Sequence, residues 1–230
     1  MAKSTGAAIT DLANAFYNFK PDLVVVHGDR FEALASATAA SMMNIHVAHI
    51  QGGEVTGTID EHIRHAITKL AHFHFPSTEK ARERIIKMGE KEESVFNYGC
   101  PASDILLRTT SLSFADLKEK LAPYTKKEDW FGHFNEDFML VVEHPVTTEF
   151  ETTGRNIDEL LEALSLFDHN LLILWPNIDA GADQLVGRLK AFERKEGARV
   201  GIYPNFPLGI YLNIIRHAKL LVGNSSSGIR

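Results

Sequence analysis

Residues 49 to 65 read His49-Ile-Gln-Gly-Gly-Glu-Val-Thr-Gly-Thr-Ile-Asp-Glu-His-Ile-Arg64-His. A glycine pair, a helix start and several ionisable side chains share this one short segment, a combination suited to a ligand loop. Gly52 and Gly53 let backbone approach a ligand with no Cβ in the way. Thr58-Ile-Asp-Glu61 has the capping-box pattern and opens a helix whose apolar face is Ile63, Ala66, Ile67 and Leu70. Asp60 and Arg64 fall four apart, away from that stripe. They suit either a solvated ion pair, stabilising by only ~0.3–0.5 kcal/mol, or a ligand contact. Gln51 is an amide, so it can orient a ligand but cannot exchange a proton near neutral pH.

Four more strands end in polar loops. Val24-Val-Val-His-Gly-Asp-Arg30 ends in a charged turn, where open α/β sheets place ligands. Asp29 could equally cap the helix starting at Phe31, with Arg30 solvated. Glu143-His-Pro-Val-Thr-Thr148 puts His144 in an extended turn before Pro145, as a ligand contact or a hydrogen-bonded surface histidine. Asn177, Asp179 and Gly181 follow the next strand. Ser225, Ser226, Ser227 and Gly228 offer hydroxyls and backbone N–H groups at a helix start, a ready anion site. Serine is also a common N-cap, so this motif is weak alone.

Strand and helix patterns alternate through the chain, which predicts a parallel, doubly wound sheet. Ile9, Leu12, Phe16 and Phe19 recur at helical spacing until Pro21. Leu23 to Val26 reads as a buried strand. A helix from about Phe31 to Met43, a strand Ile45 to Ile50, a strand Phe73 to Phe75, a helix near Glu79 to Met88 and a strand Ser94 to Tyr98 follow. Gly99-Cys-Pro101 reads as a strand-to-helix turn with Pro at the first helical position, which makes Cys100 a poor candidate nucleophile. From about Thr109 to Glu136 the rhythm breaks, with Pro123, Gly132 and the charged run Lys126-Lys-Glu-Asp129. It resumes with strand Phe138 to Val142, helix Asn156 to Phe167, strand Leu171 to Trp175, helix Ala180 to Glu193, a strand near Val200, helix Leu208 to His217 and strand Leu220 to Val222. These patterns place a domain boundary near Gly132, dividing residues 1–132 from 133–230.

The 230 residues are 44% hydrophobic and 23% charged, as in ordinary globular proteins. A formal charge of -6 argues against non-specific nucleic-acid or membrane-surface binding. The single cysteine excludes an intrachain disulfide and fits a reducing compartment. No leader pattern opens the chain and no apolar run approaches the ~20 residues of a membrane span, so a cytoplasmic protein is expected. Eleven histidines invite a metal reading, with His62 and His65 or His72 and His74 as ligands, but no second set has ligand spacing, so no metal is expected. Neither a Walker A sequence nor a Gly-x-Gly-x-x-Gly fingerprint is present, and no cofactor is expected.

HGDRFEALA, HIQGGEVTGTIDEHIRHAITKLAHFHF, EHPVTT, WPNIDAG and GNSSSGIR, in that order, resemble the UDP-N-acetylglucosamine 2-epimerases, most closely the hydrolysing branch that begins sialic-acid-type sugar synthesis. The resemblance covers nearly the whole chain. It implies a GT-B-like α/β fold of two Rossmann-like, doubly wound parallel-sheet domains with a UDP-sugar between them, and a homodimer. Family members are longer at both ends. The chain opens on a helix and stops at Arg230 where a helix should begin, so both domains are expected to be incomplete and the piece itself poorly active. UDP and the C2 proton would leave UDP-N-acetylglucosamine to give a glycal, and water would add to give N-acetylmannosamine.

The resemblance gives Asp29 and Asp60 acid/base work at the sugar. His144 and Arg64 would stabilise the leaving diphosphate. Arg30, Gly52, Gly53, Glu54, Asn177, Asp179, Gly181 and Ser225 to Gly228 would bind substrate. Many relatives carry a catalytic Glu where this chain has Gln51. Asp29, Asp60 and His144 could suffice, Glu54 could take over, or the substrate could differ. The rival readings are an epimerase for a UDP-sugar bearing two acetamido groups, a GT-B glycosyltransferase, and a non-catalytic nucleotide-sugar binding protein.

Overall fold

The computed structural model describes residues 1–57, 59–125, 127–144, 153–176, 182–225 and 227. The chain divides into two compact units, Met1–Asp104 and Ile105–Arg230.

The first unit begins with helix α1 (Ala2–Phe19), which Lys20 closes in a left-handed cap (φ 48°) just before Pro21 removes the next donor. Strands β1 (Leu23–His27), β2 (His46–Ile50) and β3 (Phe73–Phe75) form a parallel sheet in the order β1-β2-β3. Helices α2 (Phe31–Met42), α3 (Ile59–Leu70) and α4 (Glu79–Lys87) alternate with them. Four buried alanines of α2, Ala35, Ala37, Ala39 and Ala40, let that helix lie close to its neighbours. Val26, Val47, Ala37, Ala40 and Ile67 make the core.

Three sequence expectations change here. Strand β1 is not buried on both faces among the described residues: Leu23 (45%) and Val25 (58%) are exposed while Val24 and Val26 face the core. The expected strand from Ser94 to Tyr98 is reduced to a single parallel bridge between His74 and Val95, after a 3₁₀ turn at Glu92–Ser94. The buried stripe of α3 is Arg64, Ile67 and Thr68, and Ala66 is exposed. An arginine facing the core turns the helix relative to the purely apolar reading.

Helix α5 (Pro101–Arg108) has Pro at its first position, as expected, and the division between the units falls inside it. The polar-looking segment around Gly132 contains two helices that belong to the second core. They are α6 (Phe114–Leu121) and α7 (Glu128–His133), whose Leu117, Leu121 and Trp130 are fully buried, as is Phe134 just beyond. The Trp130 indole N–H donates to the Leu171 carbonyl (3.1 Å).

The second unit is a parallel sheet of β4 (Phe138–Val142), β5 (Asn170–Leu174), β6 (Val200–Tyr203) and β7 (Leu220–Gly223), in the order β6-β5-β4-β7. Successive side chains of β4 point to opposite faces. Phe138, Leu140 and Val142 join α6, α7 and α10 (Leu208–His217) in one cluster, and Met139 and Val141 join α8 (Thr153–Leu164) and α9 (Ala182–Glu196) in another. Helices cover both faces, so this sheet is doubly wound. Among the described residues no helix is long and apolar enough to cross a membrane.

Candidate functional site

In the first unit, the carboxyl edge of the sheet gathers Asp29, Gln51, Gly52, Gly53, Glu54 and Arg64. Arg30, not Asp29, occupies the N-cap position of α2. Asp29 pairs instead with Arg64, whose side chain is only 4% exposed against 27% for Asp29. Arg64 also donates to the Glu54 carbonyl (2.8 Å), and Arg84 donates to the Gly53 carbonyl. Two arginines thus grip consecutive carbonyls of the glycine loop. Gly53 is in the left-handed region (φ 79°), and a Cβ there would strike the Ala81 carbonyl of α4. A Cβ on Gly52 would lie 2.9 Å from His49 Nδ1 and 3.0 Å from Thr68 Oγ1.

Behind the loop, His49 is fully buried. Its Nε2 faces the Gly28 carbonyl (2.8 Å), which can only accept, so Nε2 carries the proton. Nδ1 then faces the Thr68 hydroxyl (3.2 Å), whose one proton is shared between Nδ1 and the Arg64 carbonyl (3.1 Å). Burial pushes the His49 imidazole down to about 4, against the raising effect of the Gly28 carbonyl. A neutral His49 therefore ties the turn before Asp29 to the helix that carries Arg64.

Gln51 is one of three described non-glycine residues at positive φ (62°). Its Oε1 meets His27 Nε2 (2.8 Å), and its Nε2 donates to Cys100 Sγ (3.2 Å). Burial pushes the Cys100 thiol up. The N–H groups of Ala102 and Ser103, the Gln51 amide and the Ser77 hydroxyl together outweigh that, and the thiol titrates below its ordinary value. Asp60 lies exposed in the first turn of α3. Glu61 accepts from the N–H groups of Thr56 and Gly57 (2.8 Å each), so it anchors the loop as a capping-box acid does; Thr58 lies outside the described residues. Arg30 meets Glu32 (3.3 Å) at the surface.

The second unit has its own candidate edge. The chain runs from β4 outward through β5 and β6, then returns to β7 on the other side of β4. The carboxyl ends of β4 and β7 are therefore a topological switch point, where open parallel sheets bind ligands. His144 follows β4, and Asn224 follows β7. The Asn224 amide accepts from the His144 N–H (2.9 Å) and donates to the His144 carbonyl (2.8 Å) and the Glu143 carboxylate (3.1 Å). Burial pushes the Glu143 carboxyl up. Ser225 and Ser227 hydroxyls meet at 2.9 Å, and Ser227 also meets the Tyr211 hydroxyl (2.7 Å). Asn177, Asp179, Gly181, Ser226 and Gly228 lie outside the described residues.

Sequence reasoning did not single out His27, His49, Thr68, Arg84, Tyr211 or Asn224 as site residues. Asn224 stood inside the polar run after β7, but nothing in the spacing tied Tyr211 to that loop. Among the described residues no group of three or more His, Cys, Asp or Glu is placed to hold a metal ion.

Comparison with known proteins bears on the family and the fold. The chain is 34% identical over 230 residues to the UDP-N-acetylglucosamine 2-epimerase of Neisseria meningitidis serogroup B. It is 35% identical over 231 residues to the GDP/UDP-N,N'-diacetylbacillosamine 2-epimerase (hydrolyzing) of Campylobacter jejuni. In both cases all of this chain aligns with 58% of the relative's length. The solved Methanocaldococcus jannaschii UDP-GlcNAc 2-epimerase, in complex with UDP-GlcNAc and UDP, superposes with a TM-score of 0.73 at 21% identity, over 96% of this chain and 60% of that one. The fold class is thus the GT-B-like α/β class with Rossmann-like parallel sheets that the sequence implied. The family profile described as UDP-N-acetylglucosamine 2-epimerase matches residues 1–230, and the chain belongs to that family.

Proposed function

We propose that the protein is a hydrolysing 2-epimerase acting on a UDP-N-acetylglucosamine-type sugar. The observation that carries this reading is the Asp29–Arg64 pair beside the glycine loop, at the carboxyl edge of a parallel sheet. The buried arginine fixes the carboxylate in place beside the loop, and the exposed part of the carboxylate is open to a ligand. Asp29 and Asp60 take the acid/base roles. Gln51, Gly52, Gly53, Glu54 and Arg30 orient the substrate. Arg64 and His144 are assigned to stabilising the charge that builds on the leaving diphosphate, and Asn177, Asp179, Gly181 and the Ser225–Gly228 loop to further substrate contacts. Loss of UDP and the C2 proton gives a glycal, and water adds to C1 and C2 to release the free 2-epimer. The reading includes a cytoplasmic homodimer.

One observation favours a second substrate. The 35% identical C. jejuni relative is named for a diacetamido sugar, and the 34% identical N. meningitidis relative for UDP-N-acetylglucosamine. Proton NMR in D2O, with protein expressed from its complete gene and both UDP-sugars competing, tests the reading. Free N-acetylmannosamine deuterated at C2, with UDP released, is expected. Release of only the diacetamido product selects the second substrate, and two intact substrates overturn hydrolysis altogether.

A further inference from the structure

Gln51 holds a left-handed backbone, which costs a non-glycine residue roughly 1–2 kcal/mol and persists only where the surroundings enforce it. Its N–H donates to the Phe75 carbonyl (2.9 Å), and the residue is 9% exposed. The side chain therefore leaves a fixed backbone and is pinned at both ends, by His27 from β1 and by Cys100 before α5.

The two ends of an amide are alike in shape and opposite in chemistry: the oxygen accepts and the nitrogen donates. Two placements are thus available, and the neighbours decide between them. With an N–H on His27 Nε2, the imidazole donates to Oε1, and the amide NH2 is left to face sulfur. The reverse placement would make the imidazole accept and the thiol donate, and a thiol is a weak donor. A carboxylate would fit less well, since it has no proton to give the sulfur. The surroundings of Gln51 are matched to an amide.

We infer that His27 is the positioning residue for Gln51: its Nε2–H fixes the amide with oxygen toward β1 and nitrogen toward Cys100, so that position 51 presents one set orientation to the sugar. The role in catalysis rests on the epimerase reading; the orientation itself does not.

Cys100 is the only cysteine of the chain, so its alkylation is read without interference, and the Gln51 nitrogen is one of the donors that face the thiol. The experiment follows iodoacetamide alkylation of the 230-residue chain against pH, by intact mass. His27→Phe should raise the midpoint by half a pH unit or more, and Gln51→Leu by at least as much. His27→Gln, which restores a donor at the Nε2 position, should bring it back. A His27→Phe profile that superimposes on the wild type while Gln51→Leu shifts it overturns the inference. So does a His27→Gln profile no better than His27→Phe, or a Gln51→Leu profile that does not move. Long-range proton–nitrogen spectra of the unaltered chain give a second reading, and a bare Nε2 on His27 at pH 8 likewise overturns it.

In protein from the complete gene, His27→Phe should lower kcat at least tenfold with KM within threefold, and His27→Gln should recover most of the loss. No turnover of any UDP-sugar by the wild type would sink the epimerase reading, while the alkylation profile still decides the His27–Gln51 relationship.

Discussion

The side-chain amide of Asn224 brackets the backbone of His144, accepting its N–H and donating to its carbonyl across 80 residues of sequence. The bracket joins the loops after β4 and β7 at the switch point of the second sheet. Asn224→Ala should cost about 1–2 kcal/mol, the value of two such bonds at a half-exposed site. Asn224→Asp should be worse although it is the closer isostere. It keeps only the acceptor for the N–H and sets a carboxylate against Glu143. Trp130 and Trp175, the only tryptophans, both lie in the second unit, so denaturant unfolding followed by fluorescence measures the order directly. An aspartate variant more stable than the alanine variant would show that the acceptor contact alone matters.

The loop after β7 was legible as polar and strand-linked, but its partner was not, because hydrogen bonds between distant loops leave no periodic trace. The alternation of strands and helices was legible because apolar runs of four or five residues bounded by turns have few other uses in a chain of this size. Helices α6 and α7 were hidden by Lys126, Lys127 and Pro123 around them. Their few core residues, Leu117, Leu121 and Trp130, are too sparse for a periodic signal. The burial of Arg64 was not legible for a related reason. Helical spacing set it away from the apolar stripe, and its partners, Asp29 on a neighbouring strand turn and the Glu54 carbonyl, are remote from it in the helical pattern.

The Asp29–Arg64 pair is unequal, and this decides which half is costlier to remove. Arg64 is almost wholly buried, whereas the Asp29 carboxylate is about a quarter exposed and can hydrate if abandoned. Asp29→Asn leaves a buried cation without its counter-charge and should cost about 3 kcal/mol. Arg64→Met should cost less, about 1–2 kcal/mol, since the abandoned charge reaches water. The double variant should be more stable than the sum of the single losses predicts. Thermal unfolding followed by far-UV circular dichroism across the four proteins tests this, and strict additivity would mean that the pair is not coupled. In turnover assays both single variants should lose at least a hundredfold in kcat.

Gly53→Ala should be among the most damaging small substitutions in the first unit. The residue needs positive φ, and a Cβ would meet the Ala81 carbonyl, a backbone group of α4 that cannot rotate aside. A loss of about 2–4 kcal/mol is expected from strain and displacement together. Gly57→Ala provides the comparison, since its φ is also positive (70°) but no atom of the described residues lies within 4 Å of an added Cβ. That variant should lose only the backbone term, about 1 kcal/mol. Equal losses at both sites would show that the contact with α4 contributes nothing.

Stability of the first unit should fall as the pH drops below neutrality, and His49 gives the direction. Its imidazole is pushed down to about 4 in the folded chain, mainly by burial, from an ordinary 6.5. Between those values the unfolded chain binds the proton and the folded chain does not, so stability rises with pH across that window. It is fully present above about 6.5, is lost progressively as the pH falls toward 4, and loses no more below that. The difference corresponds to about 3 kcal/mol. His74, pushed down by its burial on the neighbouring strand, adds in the same direction. Circular dichroism reports both units and tryptophan fluorescence only the second. At pH 5 the dichroism transition should therefore begin at lower denaturant than the fluorescence transition, with the gap closing at pH 7.5. His49→Gln, which retains a donor for the Gly28 carbonyl without titrating, should flatten this dependence to the part due to His74. An unchanged pH slope in that variant would place the titrating group elsewhere.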